Sequence, residues 1–202
     1  MRRPAASCLL MLSVLLAPLP ALAGAQDYEE LADSVRAALS AAIRDRAAPT
    51  LQFDDPADGH KWLFEMSNRL SRRIPDRSSR IDLLKTVHYE ATRAGLDPQV
   101  VLSIVEVESA FRKYAVSSAG ARGYMQVMPF WLKLIGRSGH NLFHMRTNLR
   151  YGCVILRHYL DIEKGDYFRA LGRYNGSLGK PDYPNLVMAA WKDRWDYEAP
   201  VR

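Results

Sequence analysis

Glu106 and Glu108 are the only acidic residues between Pro98 and Leu160. They stand two positions apart in 99–111, a stretch apolar on nearly every side, as a helix at the centre of a domain must be. On a helix, side chains two apart point about 200° from each other, so these carboxyls cannot share one site. Val101, Ile104 and Val105 lie seven, four and three positions before Glu108 and place it on the apolar stripe. Gln99 and Ser103, seven and three before Glu106, place that residue on the polar stripe, where a solvated carboxylate is expected. A carboxyl on the apolar stripe loses hydration, and its pKa rises. Such a group either pairs with a buried arginine or cap, or serves as a general acid held protonated near neutral pH. The helix alone leaves both readings open.

The residues that follow weigh on that choice. From Ser109 to Leu160 there is no Asp or Glu, against eight Lys and Arg. A site built there holds one carboxyl among basic and hydroxyl groups, which suits protonation of a glycosidic oxygen. It does not suit a two-carboxylate glycosidase drawing its second acid from the same segment. His140 and His144 are four apart, but Asn141 follows His140 where a zinc-protease helix has glutamate. No metal and no organic cofactor are expected. Cys153 sits in the apolar helical stretch Tyr151–Leu160 and is expected to be a buried small hydrophobe, with His158 poorly placed to activate it.

The elements that must position these groups are helices and turns almost throughout. Tyr28, Leu31, Val35, Leu39 and Ala42 recur at helical spacing. A loop over 48–59 precedes a helix from Lys61 to Arg73, which Pro75 ends. Asp76 or Ser78 caps the next helix, which turns Ile81, Leu84, Val87, His88 and Ala91 inward and stops at Gly95. Asp97-Pro98 reads as N-cap and first helical position of the central helix. The small residues of 117–123 form a turn or short hairpin. Further helices are expected over 147–163 and 167–174, and a last one over 185–195 carries Trp191 and Trp195 one turn apart. The fold class is all-α, α+β at most, with room for one small β-hairpin.

The start of the chain reads differently. Arg2 and Arg3, a short apolar run from Cys8 to Leu19, and Ala21-Leu22-Ala23 make a secretory signal peptide over 1–23. The run is shorter than the ~20 residues a membrane span needs, so no transmembrane segment is expected after cleavage. Loss of Arg2 and Arg3 lowers the net charge from +6 by two. A modest basic excess suits an anionic polymer but does not choose among cell wall, nucleic acid and membrane surface. Loss of Cys8 leaves Cys153 alone, so no intramolecular disulfide is expected and the fold rests on its apolar core.

The run Glu108-Ser-Ala-Phe111, followed by 117–129 with Ser117, Gly120, Gly123, Gln126, Met128 and Pro129, closely resembles the soluble lytic transglycosylases. Their pattern is ES-x-F, a serine, GA-x-G, MQ-x-MP, an asparagine–glycine helix ending in YL, and a later YN-G. Here the later parts are Asn148, Gly152, Tyr159-Leu160 and Tyr174-Asn175-Gly176. The resemblance spans roughly Ile81 to Tyr174 and implies a lysozyme-like helical domain with a central buried helix. It implies that Glu108 is the sole acid/base, that Ser117, Gln126, Met128 and Asn175 line the substrate groove, and that Tyr174 sits across from Glu108. Two departures bear on substrate preference: Arg112-Lys113 stand where the family often has Asn-Pro, and Tyr124 where it has leucine.

The organisation expected is a signal peptide over 1–23, accessory N-terminal helices over 24–75, and a catalytic domain over 76–202. The expected activity is non-hydrolytic cleavage of the MurNAc–GlcNAc β-1,4 bond of peptidoglycan, leaving 1,6-anhydroMurNAc ends. The expected partner is the glycan strand and not nucleic acid, and the expected location is periplasmic or secreted. A hydrolytic goose-type-like lysozyme would want a further acid aimed at water. A non-catalytic peptidoglycan-binding protein would have no need of a carboxyl on an apolar stripe.

Overall fold

The structure, a computed structural model, describes residues 26–44 and 47–198. The signal-peptide reading of 1–23 falls outside those residues. Among the described residues, eight α-helices and a closing π-helical turn follow one another. Helix α1 (Asp33–Ala42) buries Leu39, with Leu31 and Ile43 buried at its two ends. Helix α2 (Pro56–Leu70) opens on the Asp55 side chain, which accepts from Ala57 N at 2.7 Å, and turns Trp62, Met66 and Leu70 inward at four-residue spacing. The helix therefore starts five residues before Lys61, where the sequence predicts it. Asp55-Pro56 is the same cap-and-proline pair that opens the central helix, and the prolines and aspartates around it masked it as loop.

Helix α3 (Arg77–Arg93) is capped by Asp76, which accepts from Ser79 N at 2.7 Å, and buries Leu83, Leu84, Val87 and Ala91. Helix α4 (Pro98–Ser109) starts as the sequence predicts, with the Asp97 carboxylate accepting from Gln99 N at 2.7 Å. It stops two residues short of the expected end, because Ala110 and Phe111 both take left-handed backbone, φ 48° and 63°. Two consecutive non-glycine residues in that region cost energy that the packing around them must repay. Helix α4 is buried along almost its whole length and is the centre of the molecule.

A short helix α5 (Phe130–Ile135), which the sequence reading did not place, follows Pro129. Helix α6 (Met145–Ile162) packs on α1 and α3, and α7 (Tyr167–Asn175) packs on α6. Helix α8 (Asp182–Ala190) lies on α4 and α7 and runs into the π-turn Trp191–Trp195. Among the described residues there is no strand. The expected hairpin is two isolated antiparallel pairs, Val116 with Arg122 and Arg122 with Val127.

One continuous apolar core joins all of this, from Leu39 and Trp62 through Val101 and Ile104 to Tyr174 and Trp195. Cys153 lies wholly inside it, and burial raises its thiol well above the usual range. Helices α3 and α6 are also joined by Glu90, fully buried, which accepts from Arg150 Nη2 at 2.8 Å and pairs with Arg146 and Arg93. No helix among the described residues is long and apolar enough to cross a membrane.

Candidate active site

Glu108 occupies the last turn of α4 and is 4% exposed. Burial pushes its carboxyl up to about 8, so the neutral acid is its main form at neutral pH. One bond opposes that shift: the Tyr183 hydroxyl donates to Glu108 Oε1 at 2.7 Å and favours the ionised form. Because Oε1 accepts from Tyr183, the acidic proton is left to Oε2. Tyr183 is itself buried at the start of α8, and burial together with the Glu108 charge raises its phenol well above the usual range.

Tyr174 is fully buried on α7 and donates from its hydroxyl to Met125 O at 2.7 Å. After burial itself, the Glu108 charge is the largest influence raising its phenol, so Glu108, Tyr174 and Tyr183 form one electrostatic cluster. The Tyr174 hydroxyl is bonded to Met125 O, and the hydroxyl bonded to the acid belongs to Tyr183.

The segment 115–127 is built against this cluster by side chains reaching into backbone. Ser109 Oγ donates to Tyr124 O at 2.8 Å, which ties the end of α4 to the loop. Asn148 of α6 accepts from Met125 N at 2.8 Å and donates to Arg122 O and Leu142 O at 2.7 and 3.0 Å. Gly123 has φ 76°, and a Cβ there would lie 2.6 Å from Leu142 O. Gly152, one turn after Asn148, leaves room for Met125: a Cβ there would collide with the thioether. The asparagine–glycine spacing on α6 is thus the seat for Met125, whose carbonyl in turn receives Tyr174.

The remaining predicted residues have internal duties. Gln126, buried with φ 47°, donates from Nε2 to Gly123 O at 2.8 Å and Ala115 O at 3.1 Å. Ser117 Oγ accepts from Ala121 N at 3.1 Å and closes the tight turn. Met128 is half-buried, and its N–H donates to Gln26 Oε1 at 3.2 Å. Asn175 is buried at the end of α7, where Gly176 (φ 74°) supplies the left-handed cap. Ser117, Gln126 and Met128 are not bonding partners of Glu108.

Glu106 differs from the sequence expectation of a solvated residue. It is not a solvated surface carboxylate but is 9% exposed, paired with Arg73, bonded by Arg194 Nε at 3.0 Å and by Trp195 Nε1 at 2.6 Å. Its stripe on α4 is polar because it faces other polar groups of the protein: Gln99 accepts from Trp62 Nε1 at 3.3 Å and donates to Tyr197 O at 3.4 Å.

Two residues escaped the sequence reading, Tyr183 and Gln26. Tyr183, Val187 and Ala190 recur at helical spacing and are all buried, a signal that Pro181 and Pro184 obscured by suggesting a loop. Gln26, which also accepts from Trp131 Nε1 at 2.9 Å, carried no local pattern.

Residues 85–184 match the family described as Transglycosylase SLT domain, a span that holds Glu108, the 115–127 loop, Tyr174 and Tyr183. This segment, just under half of the chain, is similar to the SLT domain. A transglycosylase of Enterobacteria phage PRD1 is 32% identical over 111 residues, covering 52% of this chain and 41% of that protein. A membrane-bound lytic murein transglycosylase C of Mannheimia succiniciproducens is 36% identical over 97 residues, covering 44% of this chain and 26% of that one. The chain therefore spans less than half the length of these relatives. An X-ray structure of an inactive mutant of lytic transglycosylase Slt from Pseudomonas aeruginosa aligns with a TM-score of 0.44 at 22% identity, over 67% of this chain and 25% of that one. The SLT match extends past Tyr174-Asn175-Gly176, the last of the motifs, and takes in the start of α8.

Proposed function

We propose that this chain is a peptidoglycan lytic transglycosylase that cleaves the MurNAc–GlcNAc β-1,4 bond with Glu108 as its only acid/base. The observation that carries the reading is one buried carboxyl at the end of α4 with the Tyr183 phenol on its Oε1, and burial pushes that carboxyl up to about 8. A general acid is most useful with a pKa near the working pH, and Glu108 meets that condition without a second carboxylate beside it.

In the proposed cycle, Glu108 Oε2 donates its proton to the glycosidic oxygen as the C1–O bond breaks. The sugar's own acetamido group stabilises the cationic C1, a substrate-assisted route that needs no enzymic nucleophile. Glu108, now ionised and held by Tyr183, takes the proton of the C6 hydroxyl as that oxygen bonds to C1. Attack within one sugar is intramolecular and has a high effective molarity. Ser117, Gln126, Met128, Tyr174 and Asn175 are proposed to line the groove, the first two on a loop whose internal bonds hold it rigid. A domain over 76–202 supported by helices of 24–75 is the arrangement this reading uses, and the cell envelope, after export, is where the substrate lies. The test is digestion of purified sacculi and mass spectrometry of the soluble muropeptides. Ends lighter by one water than those of a lysozyme digest are expected. Fully hydrated reducing ends would replace the proposal with a hydrolytic lysozyme.

A further inference from the structure

Glu106 takes no part in the proposed cycle, although it is the other buried carboxylate of α4 and collects three donors. Those donors lie on two elements. Arg73 follows α2, while Arg194 and Trp195 end the π-turn that continues α8. The segment from Tyr183 to Trp195 is therefore bonded to α4 twice, at Glu108 through its first turn and at Glu106 through its last. Because the two carboxyls point to opposite sides of α4, this segment crosses the helix like a strap fixed at both ends.

Further contacts hold the Glu106 end. Trp195 packs on Phe111 with ring centroids 5.4 Å apart, and the Arg73 guanidinium lies over the same phenyl at 5.9 Å. Phe111 is one of the two left-handed residues that end α4 immediately after Glu108 and Ser109. Arg69 of α2 donates to Arg194 O and Asp196 O at 3.0 and 2.7 Å, so α2 also grips the turn. A π-turn is uncommon and is found often at functional sites. Here it is the piece that brings Trp195 Nε1 onto Glu106.

We infer that Glu106, with Trp195 and Arg194, is a positioning clamp that fixes α8 so that the Tyr183 hydroxyl stays on Glu108 Oε1. This inference rests on Glu108 being the acid of the proposed reaction. The clamp acts through Tyr183 and touches no substrate. Glu108 itself is faced by Tyr183 from α8 and by Tyr174 from α7, and Glu106 by Arg73 and Arg194.

The test is a double-mutant cycle read on the Glu108 carboxyl, titrated by carbon NMR with labelled glutamate, alongside sacculus cleavage. Trp195→Phe removes the indole N–H but keeps the Glu106 charge and most of the packing on Phe111. Tyr183→Phe removes the phenol directly. Since the Tyr183 bond favours the ionised acid, its loss moves the Glu108 titration upward. Trp195→Phe is expected to move it the same way, and adding it to Tyr183→Phe is expected to cause no further shift. Cleavage by Trp195→Phe is expected to fall by about 10- to 100-fold in kcat with little change in KM, as a misplaced catalytic group does. Arg194→Gln, at an exposed position, gives a second variant with the same expected direction if Trp195→Phe does not fold. An unmoved Glu108 titration in a folded clamp variant, or shifts that add with Tyr183→Phe, would overturn the clamp. A wild-type protein that titrates as described but leaves sacculi uncut would overturn the catalytic reading and leave the clamp standing.

Discussion

Glu106 and Glu108 are two residues apart on α4, both buried, and each is bonded by an opposite end of the segment from Tyr183 to Trp195. Their environments separate them. Glu106 meets two guanidinium groups and an indole N–H, three donors that satisfy its carboxylate oxygens. Glu108 meets one neutral hydroxyl in an apolar setting, the surroundings of a neutral acid. The same helix thus presents a structural carboxylate on one side and a protonated one on the other.

Glu108→Gln is expected to fold and to lose nearly all cleavage, because the amide keeps the shape but has no acidic proton to give. Glu106→Gln is expected to keep a measurable fraction of activity while losing stability by about 1–3 kcal/mol, the worth of hydrogen bonds to a charged group. Thermal melts and sacculus clearing measured on both variants check this. A cleaving Glu108→Gln, or an inert Glu106→Gln of undiminished stability, would reverse the assignment.

Much of the site was legible where the signal is local. The three-to-four spacing of Val101, Ile104 and Val105 picks out Glu108, and Asp97-Pro98 fixes where its helix begins. Gly123 and Gly152 announce close approaches that only the folded loop explains. What was not legible is non-local. The partners of Glu106 lie 33, 88 and 89 positions away in the chain, so its stripe reads as solvated when helix α4 is considered alone. Tyr183 lies 75 positions from Glu108, between two prolines that imitate a loop. Periodicity says which face of a helix is polar, but not whether water or another side chain satisfies it.

Cys153→Ser is expected to lower stability by about 1–3 kcal/mol and leave cleavage intact, since it puts a hydroxyl into a fully buried apolar site. In the native protein the thiol is expected to resist a bulky maleimide until the chain unfolds, both because it is buried and because its thiolate is disfavoured. Rapid labelling under native conditions would contradict the packing of α6.

Gly152→Ala is expected to destabilise by about 1–3 kcal/mol through overpacking, because the added methyl meets the Met125 side chain inside a closed core. Met125 carries the carbonyl that receives Tyr174, so cleavage is expected to fall as well. Melting temperature and initial rate together test the point. A variant that melts and cleaves like the parent would show that Met125 has another rotamer open to it.

Two buried groups give stability a pH dependence whose halves oppose each other. His88 is packed between Phe53 and Trp62, and burial lowers it from 6.5 to about 4. Between those values the unfolded chain holds a proton that the folded one refuses, so this contribution rises with pH and is lost on acidification. Glu108 is raised from 4.5 to about 8, so between those values the folded chain keeps a proton that the unfolded one has released. Its contribution is fully present below the unfolded value and is lost as pH climbs through the folded one. Where the windows overlap the two cancel. Above 6.5 Glu108 acts alone, with a slope on the order of 1.4 kcal/mol per pH unit. Denaturant melts are therefore expected to show little net effect of this pair between roughly pH 5 and 6.5 and a decline toward pH 8. Glu108→Gln is expected to abolish the decline and to be the more stable protein at the alkaline end. His88→Leu is expected to uncover the same decline already in the acidic range. A wild-type stability that holds level from neutral pH to pH 8, matching Glu108→Gln throughout, would mean that Glu108 is not held neutral in the folded protein.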